Sequence, residues 1–455
     1  MTRSPTTTPR VLPLAIALAL SASGCTDTCD GPTCESTWPT TLLVGHVPNR
    51  WPASPDPLTD ATSSIRGAVS LGVGWRVSAH NGRTLVAQPD AQRVVAIAPP
   101  FGNQTLADVA QGLVLSSLDV SFGTTVVQTD EWVVVGAPEA GLSAGTVSIY
   151  RDLPQTGVVP QEDALRLTGA TPGDRTGTSI ELCADTDGDG LSELLISAPT
   201  LTANSPLQGG VWWVPSSSLT NLADGSVPIA AVGLLLTGVS GGDRLGSSIL
   251  CTLDVDDDGV NDVVVGAPLG ASGDGYIQWI SGQTLRDGTA TASGIVLGSS
   301  SNGWFGGQLR SLRTVDDVWL AVGAAGANNG AGQVLLYNPT PLFTTGRRRP
   351  NTTLSSLDSD TRHFGRHLTT GDLDADGLDE LIVGASDSTV GDDLTAGRLL
   401  VWNGQDWPTA LIDGADHVVE GRHAFERVGR WTSLADTDNN GTVELYMSLR
   451  AAELQ

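Results

Sequence analysis

Residues 245–268 read Leu-Gly-Ser-Ser-Ile-Leu-Cys-Thr-Leu-Asp-Val-Asp-Asp-Asp-Gly-Val-Asn-Asp-Val-Val-Val-Gly-Ala-Pro. Three signals follow one another here. Leu245-Gly246 opens a short apolar run. Asp254, Asp256, Asp258 and Asp262 then alternate around Gly259. Val263-Val264-Val265 is a β-branched run closed by the small-residue corner Gly266-Ala267-Pro268. β-Branched runs bounded by Gly, Asp and Pro read as strands joined by a tight turn. A single hairpin of this kind would decide little, but the pattern recurs along the chain.

The opening Gly recurs at Val73-Gly74, Phe122-Gly123, Thr176-Gly177, Leu245-Gly246, Phe305-Gly306, Phe364-Gly365 and Val428-Gly429, at intervals of 49, 54, 69, 60, 59 and 64 residues. The corner recurs as Val135-Gly136-Ala137-Pro138, Ile196-Ser197-Ala198-Pro199 and Val383-Gly384-Ala385-Ser386. A Gly followed by a third β run comes next, as in Gly145–Tyr150, Gly332–Tyr337 and Gly397–Trp402. A fourth run, such as Leu165-Arg166-Leu167 or Leu234-Leu235-Leu236, precedes the next opening Gly. Four short strands in about 60 residues make a blade, and a blade cannot bury both faces alone. Seven packed radially protect one another's edges. The expected fold is therefore all-β, a seven-bladed β-propeller of four-stranded blades.

The ends of the chain supply a closure. The seventh repeat offers a first strand near Arg430–Leu434 and a second at Glu444–Leu449, and then the chain all but stops. The missing third and fourth runs lie at the other end, in Thr40–Val44 and Ser63–Arg66. The last blade is expected to take two strands from each terminus.

Four repeats carry an acidic loop between their first and second strands. These loops offer Asp185, Asp187, Asp189 and Glu193; Asp254, Asp256, Asp258 and Asp262; Asp372, Asp374, Asp376 and Glu380; and Asp436, Asp438, Asn440 and Glu444. Oxygens stand at positions 1, 3, 5 and 9, with Gly at 6. Hard divalent cations require that density of oxygen. The Gly allows a bend that would bring the position-7 carbonyls of Leu191, Val260, Leu378 and Thr442 to the ion. An EF-hand would place Glu at position 12 and continue as a helix. Here position 12 is Ile196, Val265, Val383 or Met447, inside a β run. About four Ca²⁺ sites on β-hairpin loops are expected, the last being the weakest because Asn440 replaces a carboxylate. The first repeat instead has Asn81-Gly82, a hairpin turn pair. The second and fifth have short connections at Thr129-Asp130-Glu131 and Val315-Asp316-Asp317.

The Phe-Gly or Val-Gly openings, the Asp-rich loops and the Gly-Ala-Pro corners resemble the FG-GAP repeats of integrin α-subunit propellers. The resemblance spans roughly Thr40 to Gln455 and is strongest from Arg175 to Ser386. The first repeat departs from it, with Ala87-Gln88-Pro89 at the corner, and the last has Ser448-Leu449-Arg450 there. The resemblance implies a calcium-stabilised propeller used for adhesion or protein binding.

Composition narrows the function. The chain has 455 residues and a formal net charge of −26, and all 24 of its basic residues are Arg. Such a balance disfavours nucleic acid and anionic membrane surfaces. Arg3 and Arg10 precede the apolar run Val11–Leu20, and Ser21-Ala22-Ser23-Gly24 leads into Cys25. This reads as a signal peptide over residues 1–24 that resembles the bacterial lipoprotein type, with Cys25 lipidated. Residues 25–39 read as a tether and 40–455 as the propeller. Two acyl chains anchor stably where one does not. Loss of residues 1–24, which hold two Arg and no acid, would take the charge to −28, and four Ca²⁺ would bring it to −20. Cys29 and Cys34 are close enough to pair outside the cytoplasm. Cys183 and Cys251 occupy matching places in successive repeats and are either bridged or simply buried.

Two Gly-x-Ser-x-Gly matches, at Gly141–Gly145 and Gly238–Gly242, lie in Gly-rich loops and lack the strand-to-helix elbow of a nucleophile. His363 and His367 read as packing residues, and Trp212, Trp213, Trp279 and Trp402 as blade packing. No catalytic residue is assigned. The sequence points to a lipid-anchored, extracytoplasmic calcium-binding module with an unidentified protein or glycan ligand. A hydrolase-type site in the central channel and a purely structural envelope protein are the alternatives.

Overall fold

The computed structural model describes residues 11–13, 40–45, 63–66, 76–97, 104–105, 112–187, 189–315, 317–344, 349–355, 360–404, 415–436 and 443–450. Those residues form an all-β, propeller-like fold with a few short helices. The strands fall into seven sheets among the described residues. In chain order their innermost strands are Val77–His80, Thr125–Gln128, Ile180–Leu182, Ser248–Leu253, Phe305–Arg313, His367–Gly371 and Thr432–Ala435. Three antiparallel strands follow outward in each. In the fourth sheet these are Asp262–Ala267, Tyr276–Ile280 and Gly294–Leu297. Each innermost strand touches the next, and Thr432–Ala435 touches Val77–His80.

The two ends meet as the sequence predicts. Thr40–Gly45 pairs antiparallel with Glu444–Arg450, placing Leu42 opposite Ser448, and Ser63–Arg66 pairs outside it. No sheet edge is left open between the termini, which removes a template for aggregation.

Glycine explains how the sheets approach so closely. Gly177, Gly306, Gly365 and Gly429 sit at φ of 79–89°, where a side chain is strained. A β-carbon at Gly136, Gly266, Gly323 or Gly384 would overlap the carbonyl of the opening Gly in the next repeat. The corner Gly of one sheet and the opening Gly of its neighbour are thus two halves of one contact.

Apolar clusters fill the spaces between neighbouring sheets. Ile249, Val265 and Tyr276 of the fourth sheet pack with Leu195, Val211 and Trp213 of the third. Each such side chain is almost wholly buried and contributes about 1.5–3 kcal/mol. Trp212, Trp213, Trp279 and Trp402 are 2–8% exposed, so all four serve packing.

Two features differ from the sequence reading. Some sheets gain a fifth, parallel strand from a linker. Gly157–Pro160 adds to Leu113–Ser116, Gly225–Pro228 to Leu165–Thr168, and Gln104–Thr105 to Ser63–Arg66. Val11–Pro13, inside the stretch read as a signal peptide, adds in the same way to His417–Glu420, a pairing that cleavage would undo. Cys183 and Cys251 form a disulfide joining the third sheet to the fourth, with a Cα–Cα distance of 5.3 Å. Cys25, Cys29 and Cys34 lie outside the described residues.

Candidate metal centre

Three of the four acidic loops lie within the described residues almost whole, and they share one geometry. Each links the innermost strand of the third, fourth or sixth sheet to the strand beside it. Position 9 opens that second strand in the fourth and sixth sheets and immediately precedes it in the third. Its residue, Glu193, Asp262 or Glu380, is fully buried. One of its oxygens accepts the position-2 N–H: Glu193 from Thr186 at 2.6 Å, Asp262 from Val255 at 2.7 Å, and Glu380 from Leu373 at 2.6 Å. This bond fastens the loop across its own base.

The tip is built by the other acids. The position-1 carboxylates of Asp185, Asp254 and Asp372 accept the N–H of Gly190, Gly259 and Gly377 at 2.8–2.9 Å. Those glycines sit at φ of 85–90°. The position-5 carboxylates of Asp189, Asp258 and Asp376 accept the N–H of Leu191, Val260 and Leu378 at 2.8–2.9 Å. Position 4 is also left-handed, at φ 63° in Asp257 and 60° in Ala375. That second reversal, at an Asp and an Ala, is not legible from residue type.

These turns bring carboxylates together. Asp185, Asp187, Asp189 and Glu193 offer oxygens within 4.8 Å of one another, as do Asp254, Asp256 and Asp262, and Asp372, Asp374 and Glu380. Asp258 and Asp376 are not in those groups. In the fourth loop, Asp438, Asn440 and Thr442 lie outside the described residues, while Asp436 and a buried Glu444 flank it.

The electrostatics are those of crowded, desolvated carboxylates. Burial pushes the carboxyls of Glu193, Asp262 and Glu380 up to about 7, and neighbouring carboxylates push the same way against the backbone N–H bonds. Asp256 and Asp374 are raised too, first by burial and then by Asp258 and Asp376. Glu193 Oε1, Glu380 Oε1 and Asp256 Oδ1 are buried with no hydrogen-bond partner. A buried carboxylate oxygen is costly unless a donor or a cation meets it. An all-oxygen set on a flexible loop fits a hard divalent cation such as Ca²⁺.

The disulfide sits at the foot of two of these loops, Cys183 two residues before Asp185 and Cys251 three before Asp254. A cleft of about 540 Å³ opens beside the third-sheet loop, lined by Arg83, Asp130, Trp132, Arg151, Asp152 and Leu191. It is built from several repeats, so no local motif announces it. His367 is buried against the Thr432 backbone, and His363 bonds Asp387 at 2.8 Å, so both pack rather than converge.

A family model described as "FG-GAP repeat" matches residues 364–402, which hold the opening Gly365, the sixth-sheet loop and the strand ending at Trp402. Human integrin alpha-IIb is 34% identical over 215 residues, which is 46% of this chain and 19% of that protein. Integrin alpha-5 of Xenopus laevis is 30% identical over 151 residues, 33% of this chain and 13% of that protein. The chain thus matches less than a fifth of the length of these curated relatives. A solved structure, the "Dos1 propeller", superposes with a TM-score of 0.48 at 9% identity, covering 85% of this chain and 83% of the other.

Proposed function

We propose that the chain, which resembles the FG-GAP β-propellers of integrin α subunits, is a closed, seven-bladed, calcium-rigidified module for adhesion or protein binding outside the cytoplasm. Asp185, Asp187, Asp189 and Glu193, with their counterparts in the fourth, sixth and seventh sheets, hold Ca²⁺. The position-7 carbonyls complete each cage. Lipid on Cys25 tethers the module to a membrane, with residues 1–24 removed and 25–39 as the spacer. The chain works by binding, not by catalysis.

One observation carries this reading. Three loops, far apart in sequence, repeat the same staple and the same convergence of buried carboxylates. The staple accounts for one oxygen of each position-9 acid, while the second oxygen of Glu193 and of Glu380 is buried with no hydrogen-bond partner, which a cation would answer. The cation supplies charge balance; the loops supply its place. The cleft beside Leu191 is a concave surface adjoining one of these loops, and we place the partner contact there. The cleft mixes Asp130, Glu131 and Asp152 with Arg83 and Arg151, and the acidic remainder of the calcium-loaded chain mildly favours a basic partner.

The test uses the full chain without residues 1–24 and with Cys25→Ser, immobilised and exposed to envelope fractions in millimolar Ca²⁺ or in EDTA. Calcium-dependent capture of a defined component, lost with Asp152→Arg, is the expected result. Capture that ignores both calcium and the substitution would sink the reading. Mass spectrometry of the wild-type protein from membranes should show a diacylated Cys25.

A further inference from the structure

The acidic loops of the third and fourth sheets are tied to each other. The tie is the short helix Gly282–Arg286, which follows the strand Tyr276–Ile280 of the fourth sheet. At the start of the helix, the Gly282 N–H donates to Asp262 Oδ1 at 2.8 Å, while Asp262 Oδ2 accepts the Val255 N–H at 2.7 Å. Both oxygens of the fourth loop's position-9 acid are thus held, one by its own loop and one by the helix. Gly282 also lies against the same loop, since a β-carbon there would overlap the Asn261 carbonyl and the Val260 side chain. At the end of the helix, Arg286 crosses to the third sheet. Its Nε–H donates to the Thr186 carbonyl at 2.6 Å. Thr186 is the position-2 residue of the third loop, and its own N–H makes the staple to Glu193. Its carbonyl belongs to the peptide that leads into Asp187, one of the four converging acids.

Two further contacts stiffen this frame. Leu285 is 2% exposed and packs in the same cluster as Cys183 and Cys251. The disulfide between those cysteines joins the feet of the two loops. The sixth-sheet loop is fastened to a different neighbour. Arg313, the last residue of the innermost strand of the fifth sheet, donates its N–H to Asp379 Oδ2 at 2.7 Å and accepts the Asp379 N–H at 3.0 Å. The fifth sheet turns there through a short hairpin and not through an acidic loop. The sixth loop therefore has an anchor, whereas the third and fourth loops have each other.

We propose that the Gly282–Arg286 helix couples the third- and fourth-sheet loops, so that calcium binding by either loop tightens binding by the other. Arg286 is then a positioning residue for a cage in the neighbouring sheet. The proposal rests on the calcium reading given above. A loop that closes on a cation gives up freedom at its turn peptides. When the third loop closes, the Thr186 carbonyl is fixed, and with it Arg286 and the helix. The Gly282 N–H then holds Asp262 in place before the fourth loop closes. The first event has already ordered part of what the second needs, so the second is tighter without any change of shape. Linkage makes the effect equal in both directions.

The full chain with Cys25→Ser, its disulfide intact, is titrated with calcium while hydrogen exchange read by mass spectrometry gives a separate midpoint for each loop. Asp187→Ala should raise the fourth-loop midpoint about fivefold, and Asp256→Ala should raise the third-loop midpoint by the same factor. The sixth-loop midpoint should move in neither variant, which also reports that the fold is kept. Arg286 is exposed, so Arg286→Ala opens no cavity. In that background the same two substitutions should shift the other loop by less than about twofold. Calcium protection of all three loops with independent midpoints would overturn the coupling and leave the calcium reading standing. A fivefold shift that persists in Arg286→Ala would overturn the role of the helix. Absence of calcium protection at every loop would remove the calcium reading, and this proposal with it.

Discussion

The third, fourth and sixth sheets turn from first strand to second through acidic loops, whereas the first, second and fifth make the same turn through short hairpins. The hairpins satisfy themselves. Asn81 and Gly82 take left-handed backbone at φ 47° and 72°, the geometry of a tight two-residue turn. Thr129 and Thr314 donate their N–H to the carbonyls of Trp132 and Asp317 at 2.8 Å. The acidic loops instead leave buried carboxylate oxygens unanswered. Both kinds of turn deliver the same strand pairing, so the sheet does not depend on the acids. On the proposed reading, the acids add a dependence on a cation.

The largest expected effect separates the two groups of sheets directly. EDTA should lower Tm by many degrees, since a site at a hundredfold excess of ligand over Kd contributes about 2.7 kcal/mol. Asp187→Ala, Asp256→Ala and Asp374→Ala should each remove one such share, while Asp130→Ala and Asp317→Ala should leave the calcium response intact. Equal losses from both sets, read by differential scanning calorimetry, would erase the distinction.

Next in size is the disulfide, which spans 68 residues. Chain entropy gives it about 4 kcal/mol. Cys183→Ser with Cys251→Ser should also weaken calcium binding at the third- and fourth-sheet loops and spare the sixth. A calcium titration in which all loops weaken alike would show a global rather than a local effect.

Smaller, and opposite in sign with and without metal, is the pH response. Glu193, Asp262 and Glu380 hold protons up to about 7 in the fold, above their ordinary range near 4. The metal-free fold therefore binds more protons than the unfolded chain between those values, and its stability should fall as pH rises from about 4.5 through 7, by about 1–3 kcal/mol per group. Calcium requires the ionised form, so its stabilisation should grow over the same interval. Urea melts at pH 5.5 and 7.5, with and without calcium, would expose the crossing; parallel curves would rule it out.

The smallest effect belongs to the hairpins. Gly82→Ala meets no neighbour within 4 Å and only strains φ, at about 1 kcal/mol. That cost should be identical in calcium and in EDTA.

The repeats made most of this fold legible. Val263–Val265 or Leu381–Val383 could be placed because the same run recurs beside the same Gly and the same corner. The end-to-end pairing followed from counting what the seventh repeat lacked. The candidate cages were legible for the same reason, although the staple from position 9 to position 2 was not, because a buried acid and an exposed one look alike in a string. Gly157–Pro160 and Gly225–Pro228 escaped notice because each is short, ends in Pro and lies in a linker. The bond between Cys183 and Cys251 depends on two strands lying side by side, and a buried thiol has the same one-dimensional appearance.

The pairing of Thr40–Gly45 with Glu444–Arg450 also has a consequence for biosynthesis. Thr40–Gly45 leaves the ribosome long before its partner Glu444–Arg450 and must wait for it. Until then the sheets at either end of the growing chain present open edges, and the final closure joins segments separated by almost the whole sequence. Such distant contacts make folding slow and leave its intermediates prone to self-association. The pair that closes the ring is therefore the last to form, and the edges it covers stay exposed longest.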